Sequence, residues 1–243
     1  MSAGRLSALW FVATLGLAAC SGGDAPPPAA PGAAAAADTA PVSIAAAPAV
    51  APRADRRVVF LGDSLTAGLG VAIEDAYPSL IARRLETRGQ GWTVVNAGVS
   101  GDTSAGGLRR LEWSMEGGAA GMVVALGGND ALRGLPVTEL AKNLDAIVAG
   151  AVARGARVIL AGMEAPPNNG PDYARAFHDV YPAVAARHGA TLVPFLLDGV
   201  AGEATLNQAD GIHPNPEGAR RVADTVWRAL EPVVHEIETA ATR

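Results

Sequence analysis

Four short stretches of this chain carry residue types able to do chemistry together. Gly62-Asp63-Ser64-Leu65 offers a hydroxyl nucleophile, and Ala97-Gly98 and Gly127-Gly128-Asn129-Asp130 offer amide donors. Asp210-Gly211-Ile212-His213 offers a carboxylate and an imidazole, close enough in sequence for one loop to present both. A serine hydroxyl becomes a useful nucleophile only with a base in hydrogen-bond reach. Histidine is the usual base, with a carboxylate fixing its tautomer. Ser64, His213 and Asp210 are therefore expected as nucleophile, base and orienting acid. Acyl transfer also needs donors aimed at the developing oxyanion. The backbone N–H of Ser64, the backbone N–H of Gly98 and the side-chain amide of Asn129 are expected to supply them. Pro214 and Pro216 stiffen the backbone beside His213.

These stretches become a site only if the elements between them bring them to one place. Val58–Leu61, Thr93–Asn96, Gly121–Leu126, Val158–Ala161 and Thr191–Val193 read as short buried strands. Ala76–Arg88, Leu108–Glu116, Thr138–Arg154, Tyr173–Arg187 and Pro216–Glu238 read as helices; Thr138 is expected to cap the third and Pro216 to open the last. Continuous apolar strands alternating with helices predict an α/β fold. Its form is a three-layer α/β/α sandwich around a five-stranded parallel sheet. Ligands of such sheets sit beyond the carboxyl ends of the strands. Each reactive stretch follows a predicted strand, so the four turns are expected to converge on one rim.

Taken in order, Gly62-Asp63-Ser64-Leu65, Gly98, Gly127-Gly128-Asn129-Asp130 and Asp210-x-x-His213-Pro214 resemble the four blocks of the SGNH/GDSL serine hydrolase superfamily. Asn96–Thr103, Ala165-Pro166-Pro167-Asn168 and Asp210–Pro214 resemble its bacterial multifunctional acyl-CoA thioesterase, lysophospholipase and arylesterase branch. The resemblance spans Arg56 to about Val233. It implies a flavodoxin-like strand order of 2-1-3-4-5 and no metal or other cofactor. It also implies Ser64, Gly98, Asn129 and His213 as the family-defining residues, with Asp210 as third triad member. The expected substrates are small acyl esters or thioesters. A carbohydrate O-acetylesterase and a non-catalytic envelope-binding lipoprotein are the alternatives.

Other residues carry plainer expectations. Asp63 is expected to stabilise its turn, Asp102 and Asp130 to organise their loops through side-chain to backbone bonds, and Glu164 to stand on the rim. His178, His188 and His235 are expected to lack carboxylate partners. Leu132, Leu135 and Pro166 are expected to wall an acyl pocket bordered by the loop Met163–Tyr173. Gly68-Leu69-Gly70 lacks the third glycine of a dinucleotide fingerprint, Ile73 standing there. Thr66 replaces the last glycine of a Gly-x-Ser-x-Gly elbow.

Composition narrows the classes further. The net charge of -5 gives no reason to expect a nucleic-acid partner. The one lysine, Lys142, lies in no phosphate-binding loop, and the one cysteine, Cys20, excludes an intramolecular disulfide. Arg5, the apolar run Leu6–Leu17 and Leu17-Ala18-Ala19-Cys20 read as a signal peptide over 1–19 ending in a lipobox. Lipidation of Cys20 would give a membrane partner. The Leu-Ala-Ala-Cys ending resembles that of Gram-negative lipoproteins, and by that resemblance Ser21 favours the outer membrane, with the domain facing the periplasm, over the inner membrane; the alternative is an ordinary signal peptide and a periplasmic or secreted domain. Residues 20–55 are rich in Ala, Pro and Gly and read as a disordered tether. The hydrolase domain is expected over 56–238, followed by a flexible tail over 239–243.

Overall fold

The computed structural model describes residues 56–240. The expected signal peptide, Cys20 and the tether lie outside the described residues.

Five strands form one parallel sheet: β1 (Arg57–Gly62), β2 (Thr93–Gly98), β3 (Gly121–Ala125), β4 (Arg157–Ala161) and β5 (Thr191–Val193). Their order is β2-β1-β3-β4-β5. Every residue of β3 and five of the six in β1 are buried, whereas the edge strands β2 and β5 are only partly covered. Two covered faces explain the uninterrupted Val, Phe, Leu and Met run of the central strands. Gly62 of β1 pairs with Gly98 of β2 and with Ala125 of β3. Three strands thus end flush, and the residues that follow them share one rim.

Eight helices follow the strands: α1 (Ser64–Ala67), α2 (Tyr77–Glu86), α3 (Ser104–Arg109), α4 (Leu111–Ser114), α5 (Gly128–Leu132), α6 (Val137–Ala153), α7 (Pro171–His188) and α8 (Pro216–Ala240). Helices α2 and α8 pack together, while α6 packs with α7 and α3. The apolar stripe of α6 buries Leu140, Leu144, Ile147, Val148 and Ala151 against the sheet.

Several boundaries differ from the sequence reading. The helix expected over Leu108–Glu116 is two helices, α3 and α4, which break at Arg110 (φ -107°, ψ 9°). Their start lies earlier because Gly106 and Gly107, poor helix formers, are required by packing: a Cβ on Gly107 would stand 2.2 Å from Leu126 Cδ1. Thr138 does not cap α6. Pro136 occupies the cap position without a side-chain bond, and its carbonyl accepts from Glu139 and Leu140 N–H. Gly127–Asp130 is not a simple turn, since α5 begins at Gly128. Helix α8 continues to Ala240, past the expected boundary at Glu238.

One buried polar cluster ties the layers beside the rim. Asp130 of α5 accepts from the Ser104 N–H at 2.8 Å and the Ser104 hydroxyl at 2.5 Å. Ser104 Oγ in turn accepts from Asn143 Nδ2 of α6 at 3.0 Å. A buried donor without a partner costs about 1–3 kcal/mol. Asp130→Ala is expected to lower the unfolding free energy by that amount, read from urea denaturation followed by circular dichroism. An unchanged midpoint would contradict this account of the cluster.

Candidate active site

The rim at the carboxyl ends of β1, β2 and β3 is built by glycines where backbones meet. A Cβ on Gly62 would stand 1.9 Å from Thr66 Oγ1, and one on Gly98 2.2 Å from the Ala67 nitrogen. Gly127 takes φ 117°, and a Cβ there would meet Tyr181 Oη at 2.1 Å. Tyr181 donates to the Leu126 carbonyl at 3.0 Å and so pins the turn from α7.

Asp63 caps α1: its Oδ1 accepts from the Leu65 N–H at 3.0 Å. This places Ser64 at the first position of the helix, where its own N–H has no intrahelical acceptor. Ser64 is 9% exposed, so its hydroxyl meets only what enters from the rim. Thr66 Oγ1 lies 2.8 Å from Tyr77 Oη, which anchors α1 to α2.

The long loop between β5 and α8 brings the imidazole of His213. His213 Nε2 stands 2.9 Å from Ser64 Oγ, and His213 Nδ1 stands 2.7 Å from Asp210 Oδ2. Asp210 Oδ1 accepts from the backbone N–H groups of Ile212 and His213, both at 3.0 Å. Its pKa is lowered to about 2 by the His213 backbone bond first, then by the His213 ring and the Ile212 N–H. An ionised carboxylate only accepts, so Nδ1 donates to it. Nε2 is then the lone-pair nitrogen facing the Ser64 hydroxyl.

The loop is fastened on both flanks. Gln208 N–H donates to the His213 carbonyl at 2.8 Å, and Gln208 Nε2 donates to the Leu69 and Pro214 carbonyls. Asn215 Oδ1 accepts from Glu217 and Gly218 N–H, capping α8.

A cleft of about 500 Å³ opens at Ser64, Asn129 and His213. Leu69, Leu132, Met163, Pro166, Phe195 and Leu197 make it largely apolar.

The GDSL-like Lipase/Acylhydrolase family model matches residues 60–221. The chain belongs to that family. It is 44% identical over 182 residues to Esterase TesA of Pseudomonas aeruginosa, covering 74% of this chain and 90% of that one. It is 36% identical to an arylesterase of Vibrio mimicus, over 74% of this chain and 90% of the relative. It is 35% identical to thioesterase 1/protease 1/lysophospholipase L1 of Escherichia coli K12, over 73% and 85%. A crystal structure of TesA superposes with a TM-score of 0.70 at 44% identity, covering 73% of this chain and 99% of that one. Like these family members, the chain is a carboxylic ester hydrolase.

Within this family member, the sequence-expected residues fall as follows. Ser64, His213 and Asp210 are joined in one hydrogen-bonded chain. Asn129 stands beside them, but its Nδ2 donates to Asp63 Oδ2 at 3.3 Å. The Gly98 N–H donates to Asn96 Oδ1 at 2.9 Å rather than standing free. Asn96 Nδ2 also donates to the Thr66 carbonyl at 2.8 Å, so this side chain clamps β2 to α1. Leu132 and Pro166 line the cleft as expected, but Leu135 does not; its carbonyl instead accepts from Tyr173.

Asp130 organises its loop through the Ser104 backbone. Asp102 works otherwise, through an ion pair with Arg110, whose guanidinium also donates to the Gly62 and Ala97 carbonyls. Two of the other histidines have carboxylate partners after all. His178 Nδ1 lies 2.7 Å from Glu164 Oε1, and His188 Nε2 lies 2.8 Å from Asp145 Oδ1. Both pairings cross between elements distant in sequence, which local spacing does not reveal. Arg110, Asn96 and Gln208 were not singled out for a role by the sequence reading. Asn96 and Gln208 have one sequence signal, a polar side chain close to a reactive stretch; Arg110 has none.

Asp63 has a second consequence. Burial pushes its pKa up to about 6, against the lowering effect of the Leu65 and Asn129 bonds and the nearby His213. The folded chain therefore holds this proton more tightly than the unfolded chain. The group's contribution to stability is full below the ordinary carboxylate value of 3.8 and falls as pH rises toward about 6. Two pH units correspond to about 3 kcal/mol. The unfolding free energy of the wild type, minus that of Asp63→Asn, is expected to decline by up to that amount across this window. Urea titrations at several pH values check it, and a flat or rising difference would refute the burial argument.

Proposed function

We propose that the protein hydrolyses carboxylic esters and thioesters through a Ser64-His213-Asp210 triad and an acyl-enzyme intermediate. The observation that carries this reading is the unbroken chain from Ser64 Oγ through both His213 nitrogens to Asp210. His213 Nε2 takes the hydroxyl proton as Ser64 Oγ attacks the acyl carbonyl. The Ser64 N–H and the Asn129 amide face the developing oxyanion, Asn129 exchanging its long bond to Asp63 for a stronger one. Gly98 joins as third donor once Asn96 Oδ1 releases its N–H. His213 then protonates the departing alkoxide or thiolate. Water, deprotonated by the same nitrogen, attacks the acyl-serine, and Ser64 leaves with the proton as the acid departs.

The apolar wall of the cleft supports an acyl group larger than acetyl, which weighs against the O-acetylesterase alternative. The names of the relatives support aryl esters, thioesters and lysophospholipids as substrates to test. Ser64→Ala is expected to reduce kcat for p-nitrophenyl butyrate by at least roughly a thousandfold, with the unfolding midpoint retained. Near wild-type turnover by this variant would remove Ser64 as nucleophile.

We further propose that the chain is an envelope lipoprotein held by lipidated Cys20, with residues 20–55 as tether and the domain facing the periplasm. Among the described residues no helix is long and apolar enough to cross a membrane. A lipid on Cys20, directly after the apolar run, would supply the attachment. Cys20→Ala is expected to move the protein from the membrane fraction to the soluble fraction. Unchanged fractionation would contradict lipid anchoring at Cys20.

A further inference from the structure

The cleft is apolar on one side and carries one charge there that the triad chemistry does not use. Its ionisable lining residues are Asp63, His213 and Glu164. Asp63 is buried in the Ser64 turn, and His213 is occupied by Ser64 and Asp210. Glu164 belongs to neither. It follows β4 and lines the same cleft as Met163, Ala165, Pro166, Phe195 and Leu197. Its side chain is 43% exposed. His178 of α7 holds Oε1 at 2.7 Å, and no bond to Oε2 is made among the described residues. The carboxylate is thus oriented from behind with one oxygen left for a ligand. No lysine or arginine lines the cleft. Arg133, at the end of α5, is fastened to the Gly101 carbonyl beyond β2. With the order β2-β1-β3-β4-β5, that strand lies across Ser64 from Glu164.

In the proposed mechanism the leaving group must sit beside His213, so the acyl group takes the apolar wall from the β3, β4 and β5 loops. Glu164 lies in that wall. We propose that Glu164 sets a charge preference for the acyl group: acyl chains carrying an ammonium or a hydroxyl donor are favoured, and those ending in a carboxylate are refused. This inference rests on the ester hydrolase reading and names the class of acyl group that this site takes. An exposed charge pair contributes modestly, so the preference is about threefold to fivefold in each direction. It weakens with added salt.

The test uses the full chain and three p-nitrophenyl esters with the same leaving group: hexanoate, a hexanoate ending in trimethylammonium, and the monoester of adipate. kcat/KM for the charged esters is referred to hexanoate for each enzyme at low ionic strength. The wild type is expected to favour the cationic ester and disfavour the anionic one, chiefly through KM. Glu164→Gln should bring both ratios toward one, and Glu164→Arg should invert them. Wild-type ratios near one, or ratios unaltered in both variants, would overturn the role of Glu164. Failure of the wild type to hydrolyse hexanoate would instead overturn the ester hydrolase reading beneath it.

Discussion

The structure depends on a close approach of backbones at the end of β2. The chain at Gly98 lies so near α1 that a Cβ would overlap the Ala67 backbone. That contact is possible only for glycine, and it sets how closely α1 sits on β2. Because β1, β2 and β3 end flush, fixing α1 against β2 also fixes Ser64 relative to Asn129. Asn96 bonds both sides of the contact, and Arg110 draws together the Gly62 carbonyl of β1 and the Ala97 carbonyl of β2. The proposed nucleophile is therefore positioned by the main-chain contact of α1 with β2 together with the Asp63 cap, an arrangement suited to holding a small tolerance.

The base is positioned by different means. His213 sits in a long connection with no strand ladder beside it, apart from one bridge between Asn207 and Pro214. Side-chain amides do the work there: Gln208 and Asn215 hold the flanks, while Asp210 folds back on the N–H groups of its own loop. The two halves meet in the hydrogen bond between Ser64 and His213 and in the bond from Gln208 Nε2 to the Leu69 carbonyl. Asp63 and Asp210 show how setting decides the state of a carboxylate. Burial pushes the first up, and three donors push the second down.

Much of this was legible in the sequence because it is local. Continuous apolar runs mark the central strands, helical periodicity marks α2 and α6, Pro216 marks the start of α8, and reactive stretches after strands mark the rim. The spacing of Asp210 and His213 announced their pairing. What was not legible is pairwise and distant. Glu164 with His178, Asp145 with His188, and Arg110 with two strand ends join elements whose separation carries no periodic signal. The early start of α3 is hidden because Gly106 and Gly107 weaken helix propensity, while packing against Asp102 and Leu126 respectively requires them. The hold of Asn96 on the Gly98 N–H was hidden for a related reason: a vacant donor and an occupied one have the same sequence.

The central claim is that Ser64 is the atom that bonds to the acyl group. Reaction of the intact protein with a fluorophosphonate, followed by proteolysis and mass spectrometry, tests it most directly. The account predicts a single stoichiometric adduct on the peptide containing Ser64, absent in Ser64→Ala and strongly slowed in His213→Ala. An adduct on another residue, or equal labelling of the Ser64→Ala protein, would contradict it.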